Sequence, residues 1–300
     1  MTEERILSGL DGSDPLGFLA AIGLLRVVSR FDAEAKLRFV HSGRWIPTII
    51  TAHPSELEDL VLEDLARFRT SHPALDFARH SEDRKVQDLK PPPDVFRNFM
   101  RNVASHEEGA AFFAAYATGV AVDSSGQTKP TSFHLTAGQQ RFMDAVLDIL
   151  EHVTRDDLVE ALNGPWTGRE GVKNLRFRAA SERLRALVSF DPSKASFRTQ
   201  VGAYWLAFQA LPCFPCVPVG LRVRTTGISG GGKNESFTWP IWTVPLTHFG
   251  VRALVGLRDL KEPSRLTAHV RSRYGIGEIF TAKIDRNSQG YGNFAAPDPV

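Results

Sequence analysis

The stretch GSDPLGFLAAIGLLRVVSRF, residues 12–31, decides how the rest of this 300-residue chain has to be arranged. Ser13 or Asp14 can cap a helix N-terminus, and Pro15 suits the first helical position because its missing N–H would be unpaired there in any case. Leu16, Phe18, Leu19, Ile22, Leu24, Leu25 and Val28 then surround most of the helix, which is therefore expected to be buried on more than one side. Gly17, Ala20, Ala21 and Gly23 keep it thin, so that another backbone can approach closely.

Working outward, KLRFVHSGRWIPTIIT at 36–51 alternates apolar and polar residues around a Ser42–Gly43 turn and reads as a β-hairpin. Residues 55–68 and 107–118 have helical spacing. In TAGQQRFMDAVLDILEHV, at 136–153, Phe142, Val146, Ile149, Leu150 and Val153 form one stripe, with Thr136 as its expected cap. KPPPD at 90–94 and DSSGQTKPTS at 123–132 read as loops. Beyond NGPWTGREG the pattern changes. Residues 193–211 resemble a buried helix, with Val201, Tyr204, Trp205, Phe208 and Leu211 at helical spacing. Residues 217–226 and 236–244 read as strands flanking a glycine loop, and 278–285 alternates again before the glycine-rich tail NSQGYGNF. The fold class is α+β, with a helical middle region and β-hairpins near the N-terminus and in the C-terminal half. A boundary at 164–171 would separate a mostly helical lobe, 1–165, from a basic α+β lobe, 166–300.

Composition narrows the class. Hydrophobic residues make up 42% and charged residues 23%, values of a globular chain rather than a disordered one. The strongly apolar run at 16–25 is far short of the ~20 residues that span a bilayer. No basic segment precedes a cleavable apolar stretch, and two cysteines form no disulfide framework. The expectation is a cytoplasmic protein without membrane association. The net charge is only +2, but the segments 168–198 and 252–286 are each rich in Lys and Arg while 55–83 is acidic. Such asymmetry suits a polyanion-binding face.

Several motifs suggest chemistry and then fail on context. From Gly227 the chain reads G-I-S-G-G-G-K-N, one residue from the phosphate-cradling G-x-x-x-x-G-K-[ST]. Asn234 stands where magnesium needs a hydroxyl, and the following ESFTWPIWTVP cannot open a helix. Nucleotide hydrolysis at this loop is excluded. Cys213 and Cys216 form a C-x-x-C that follows a helix instead of starting one, so nothing lowers a thiol pKa. With no second pair to complete a zinc site, two buried small residues are expected. Among nine histidines there is no H-E-x-x-H, and acidic pairs such as Glu107–Glu108 and Asp156–Asp157 lie where helices should start. No catalytic residue, metal ligand or cofactor is therefore expected.

The site candidates are basic. Arg169, Lys173, Arg176, Arg178, Arg183, Arg185, Lys194 and Arg198 fall close together with Phe177 and Phe197 among them, a pattern suited to a backbone groove where a base can stack. Arg222 and Arg224 lie at strand spacing on one face, leading towards Lys233 and Asn234 in the glycine loop. Arg271, Arg273, Lys283 and Arg286 make a third group around the last hairpin.

Five fragments carry a resemblance that runs nearly the full length of the chain. They are LDGSDPLGFLAAIGLLRVV at the start, FHLTAGQQRFM at 133–143, DPSKASFRTQVGAYWLAFQALPCFP at 191–215, FTWPIWTVPL at 237–246 and YGIGEIFTAKIDRNSQGYGNF near the end. Together they resemble the small large-subunit-like proteins of the subtype I-G (formerly I-U) type I CRISPR effector systems. The resemblance implies a non-catalytic subunit of an RNA-guided DNA surveillance complex in antiviral defence. Its implied partners are guide RNA, target DNA, the other complex subunits and a helicase-nuclease, with contact to the short duplex motif beside the target. Two other readings stand beside it. One is a protein–protein adaptor docking through the thin N-terminal helix and a Trp239/Trp242 surface. The other is a metal-dependent nuclease whose carboxylates converge only in the fold.

Overall fold

A computed structural model describes residues 2–79, 88–179, 198–262, 265–288 and 290–300; the side chains of Phe77, Lys233 and Lys261 also lie outside the description. The helix expected at the N-terminus is α1, Pro15–Val28, with the Asp14 carboxylate accepting hydrogen bonds from the Leu16 and Gly17 amides. It is buried along its whole length. Its thin face does what small residues there permit, because α1 lies against α8, Val201–Ala210, along nearly the full length of both. A Cβ on Gly23 would overlap the carbonyl oxygen of Leu206.

Around this pair the α+β fold closes with two antiparallel sheets. The first has strand order β1-β3-β2-β10, from Glu3–Ile6, Trp45–Thr51, Lys36–His41 and Leu246–Thr247. Its β2–β3 hairpin turns at Gly43, where φ is +71°, as the Ser42–Gly43 turn requires. The second runs β12-β11-β9-β8, from Gly292–Phe294, Ile276–Arg286, Ser236–Trp242 and Ile228–Ser229, with β13, Asp298–Pro299, beside β11. Trp239 and Trp242 in β9 join the sheets to the helix. Their indole N–H groups donate to the carbonyls of Gly12 (2.9 Å) and Leu37 (2.7 Å), and both rings pack on Phe18. Both tryptophans are fully buried, so they offer no docking surface, and the thin helix is already covered by α8. The core draws residues from Leu7 to Phe294, on both sides of the 165/166 boundary suggested by composition.

The helical middle comprises α2 (Leu57–Thr70), α3 (Pro73–Arg79), α4 (Pro93–Val103), α5 (Glu107–Tyr116), α6 (Phe142–His152) and α7 (Arg155–Asn163). Four local readings need correction. Thr136 does not cap α6, which starts at Phe142, because Gly138 at φ +57° turns the chain out of a helix. The helix expected over 107–118 stops at Tyr116, and the alternating Thr118, Val120 and Val122 continue as β4, Ala117–Val122. Its partner β5, Thr128–Pro130, occupies part of the expected loop at 123–132. The proline run at 90–94 is not all loop, since Pro93 begins α4. Of the helix expected over 193–211, residues 193–197 lie outside the described residues and α8 accounts for Val201–Ala210. Among the described residues no helix is long and apolar enough to cross a membrane.

A charge network is buried where α1, α2, α5 and α8 meet. Glu108 accepts from Arg26 Nη2 at 2.9 Å and Arg67 Nη2 at 2.8 Å, pairs with Arg30, and lies 3.1 Å from His72 Nε2. Asp64, with no solvent exposure, pairs with Arg30 and with Arg67 at 3.0 Å. Arg26 also donates to Gln209 Oε1 at 2.7 Å. Burial pulls the pKa of Arg26 and of Arg30 down to about 10, which leaves both charged at neutral pH. Burial and the surrounding guanidiniums drive His72 to about 3, and burial with Arg26 and Arg252 lowers His248 to about 4.

Two outcomes are expected. Gly23→Ala should cost about 3 kcal/mol in denaturant unfolding, because the obstructing atom is backbone and cannot step aside. Below pH ~6.5 the unfolded chain protonates its histidines while folded His72 and His248 stay neutral, so stability falls as pH drops from ~6.5 towards 4. Asp14, raised by burial to about 6, opposes this between pH 6 and 4 because its folded form holds the proton more tightly. Two imidazoles outweigh one carboxyl, so the melting temperature should be lower at pH 5 than at pH 7.

Candidate nucleic-acid interface

The segment expected as a single strand over 217–226 is a hairpin, β6 (Cys216–Val219) and β7 (Arg222–Thr225), because Gly220 at φ +59° reverses the chain. Its register sets Val217 opposite Arg224 and Val219 opposite Arg222, so these four side chains share one face, and that face is exposed. The other face is the anchor. Cys216 and Thr225 are buried, the Cys216 thiol donates to the Ala115 carbonyl at 3.4 Å, and Thr225 Oγ1 accepts from the Ser132 amide at 3.0 Å. Leu221 at the tip is 74% exposed.

The glycine loop connects β8 to β9 and contains a single 3-10 turn, Gly232–Asn234, with a strand and no helix behind it. The phosphate-loop reading therefore fails in the structure as it does in the sequence. Gly230 is required internally, since φ is +75° and a Cβ would overlap the Asn234 carbonyl oxygen. Gly231 is different. Its backbone is extended and a Cβ there would meet nothing, so packing does not demand a glycine.

Hairpin and loop enclose a cleft of about 570 Å³ lined by Arg222, Arg224, Lys129, Ser132, Gly231 and Glu235, among others. Arg222, Arg224 and Lys129 are exposed, and their side chains make no ion pair or hydrogen bond among the described residues. The Glu235 carboxylate is engaged already, accepting from the Ser132 hydroxyl at 3.1 Å and lying 3.6 Å from Arg286 Nη2. The cleft thus presents three uncompensated cations beside an unobstructed stretch of backbone. That arrangement can hold phosphate oxygens.

Most other basic candidates serve the fold. Arg169 pairs with Asp157 at 2.9 Å, and Arg198 with Glu170 at 3.3 Å. Arg176 donates to the Gly292 carbonyl at 2.8 Å and to Asn293 Oδ1 at 2.6 Å, holding the C-terminal tail. Arg178 lies over the Trp166 ring, 5.6 Å from its centroid. Arg271 donates to the Leu266 carbonyl, Lys283 pairs with Asp285, and Arg286 donates to the carbonyls of Ser132 and His134. The structure leaves Lys173 and Arg273 without such a partner among the described residues, but apart from the cleft. Asn234 is exposed in the loop; the Lys233 side chain, and Arg183, Arg185, Lys194 and Phe197, lie outside the described residues. Phe177 is fully buried, so it is no stacking platform. Lys129 was missed in the sequence because its loop carries no charge cluster.

The two cysteines are buried, as expected, and burial pushes the Cys213 thiol up to about 11. Among the described residues no three His, Cys, Asp or Glu side chains gather where a metal ion could be held. The chain matches no protein-family model. No curated protein is a significant match either.

The division between free and engaged arginines is measurable. Arg222→Ala and Arg224→Ala should each change unfolding stability by less than ~0.5 kcal/mol. Arg176→Ala should cost about 1.5 kcal/mol by urea titration, because it leaves a part-buried carbonyl and amide without their charged donor.

Proposed function

We propose that this chain is a nucleic-acid-binding protein that grips a phosphodiester backbone with the Arg222–Arg224 face of its hairpin and the glycine loop beside it. The observation that carries this reading is the pair of exposed guanidiniums on one strand face, without side-chain partners among the described residues and lining a cleft that has no side chain at Gly231. Cations without an internal partner remain available to an external anion, and a backbone free of side chains allows phosphate oxygens to approach amide groups. Val217, Val219 and Leu221 beside them add apolar contact for sugars or an unstacked base.

The resemblance to subtype I-G proteins supplies the setting. On that reading the chain is a non-catalytic, cytoplasmic subunit of an RNA-guided DNA surveillance complex. It contacts guide RNA or target DNA, touches the duplex motif beside the target, and works with the other complex subunits and a helicase-nuclease. Sequence is then read mainly by base pairing, and the protein contributes shape recognition and backbone contacts.

Electrophoretic binding to guide-length RNA and to single- and double-stranded DNA at ~50 and ~200 mM salt tests the proposal, since phosphate-driven affinity falls steeply across that range. The double variant Arg222→Glu/Arg224→Glu should lose at least about tenfold in affinity for the preferred strand and show a shallower salt dependence. Gly231→Ala should weaken binding while leaving the melting temperature in place. Equal affinity of wild type and the charge-reversed variant would remove this face from the interface.

A further inference from the structure

A second cleft, of about 660 Å³, opens over the buried charge network and is unrelated to the hairpin. One wall is the network itself, formed by Arg30, Arg67 and the buried Arg26 around Glu108. The other is α9, His248–Val255, which contributes His248, Phe249 and Arg252. Three guanidiniums share the two carboxylates Asp64 and Glu108, and Glu108 already accepts from all three. It has nothing left for Arg252, whose side chain makes no ion pair or hydrogen bond among the described residues. Even with Glu107 counted at the rim, four guanidiniums face three carboxylates. Arg252 is exposed, so water keeps the surplus cheap and leaves its guanidinium open to an external anion.

Phe249 gives the surplus a shape. It is 73% exposed, among the most exposed large apolar side chains described, and stands at the mouth of the cleft one residue from His248 and one turn from Arg252. An exposed aromatic face beside unneutralised guanidiniums supplies the two contacts a nucleotide uses, stacking for the base and bidentate hydrogen bonding for the phosphate. His248, held neutral by burial, can accept or donate a hydrogen bond without adding charge. We infer that this cleft binds a nucleoside phosphate, its phosphate between Arg252 and the Arg30–Arg67 pair and its base against Phe249. The ligand is either a free nucleotide or the 5′-phosphorylated end of a strand.

Isothermal titration of the full chain with AMP, ATP, inorganic phosphate and paired 5′-phosphorylated and 5′-hydroxyl oligonucleotides tests this at ~50 mM salt, low enough to leave phosphate contacts weakly screened. Arg252→Ala should weaken every phosphate ligand by at least about tenfold, the scale of one lost charge-assisted contact. Phe249→Ala should weaken AMP and ATP while leaving inorganic phosphate unchanged. Both positions are exposed, and unchanged melting temperatures will show that the variants fold. Arg222→Glu/Arg224→Glu should leave AMP binding intact, which separates this site from the hairpin interface. Arg252-dependent binding of the 5′-phosphorylated oligonucleotide alone would identify a strand end as the ligand, and comparable binding of AMP would identify the free nucleotide. Absence of any phosphate binding at millimolar concentration, or binding indifferent to Arg252→Ala, overturns the inference; binding indifferent to Phe249→Ala removes the base from it.

Discussion

Everything in this molecule is arranged around the contact of two backbones, at Gly23 of α1 and Leu206 of α8. No side chain separates the helices there, so their separation and rotation are set by main-chain atoms, which do not repack. Once α8 is fixed against α1, Gln209 comes within reach of Arg26, and the remaining guanidiniums follow into the charge network with Asp64 and Glu108. On another part of α1, Phe18 takes its place among Phe39, Trp239 and Trp242 and brings the two sheets together. The helix is at once the apolar centre and the support for the densest group of charges described.

The division of labour among the arginines follows from that geometry. Those from 169 to 198 that are described bridge loops to helices or pin the tail, and their charge is spent on carboxylates, carbonyls and an indole ring. Arg222, Arg224 and Arg252 stand on short surface elements anchored by buried residues, with their own side chains exposed. A basic segment therefore says little about where an anion binds. What matters is whether each cation already has a partner, and partners come from distant parts of the chain.

Much of the architecture was legible in the sequence. The cap at Ser13 or Asp14, which the structure assigns to Asp14, Pro15, the all-round apolar helix and the Ser42–Gly43 hairpin are local features, governed by dihedral preferences and periodicity, and the structure bears them out. The acidic starts at Glu107 and Asp156 were also correct, with Thr154 and Asp157 forming a capping box. Boundaries failed where one glycine overrides a periodic pattern, at Gly138 and at Gly220. The site was half legible. Spacing placed Arg222 and Arg224 on one face, but Lys129 joins them from almost a hundred residues away. The second cleft left one trace in the sequence: Arg26 in the last turn of an otherwise apolar helix demands a buried partner, and Arg30 follows just past the helix end. Nothing local names Glu108 or Arg252 as their neighbours.

The burial of Cys213 and Cys216 has a practical side. They are the chain's two cysteines, both shut away from solvent, with burial raising both thiols and so suppressing the reactive thiolate. The native thiols are therefore expected to react slowly with maleimides and disulfide reagents. A single cysteine placed at Leu221, on the exposed hairpin tip, becomes a unique attachment point for a fluorophore or a crosslinker, with no need to remove the natural thiols first.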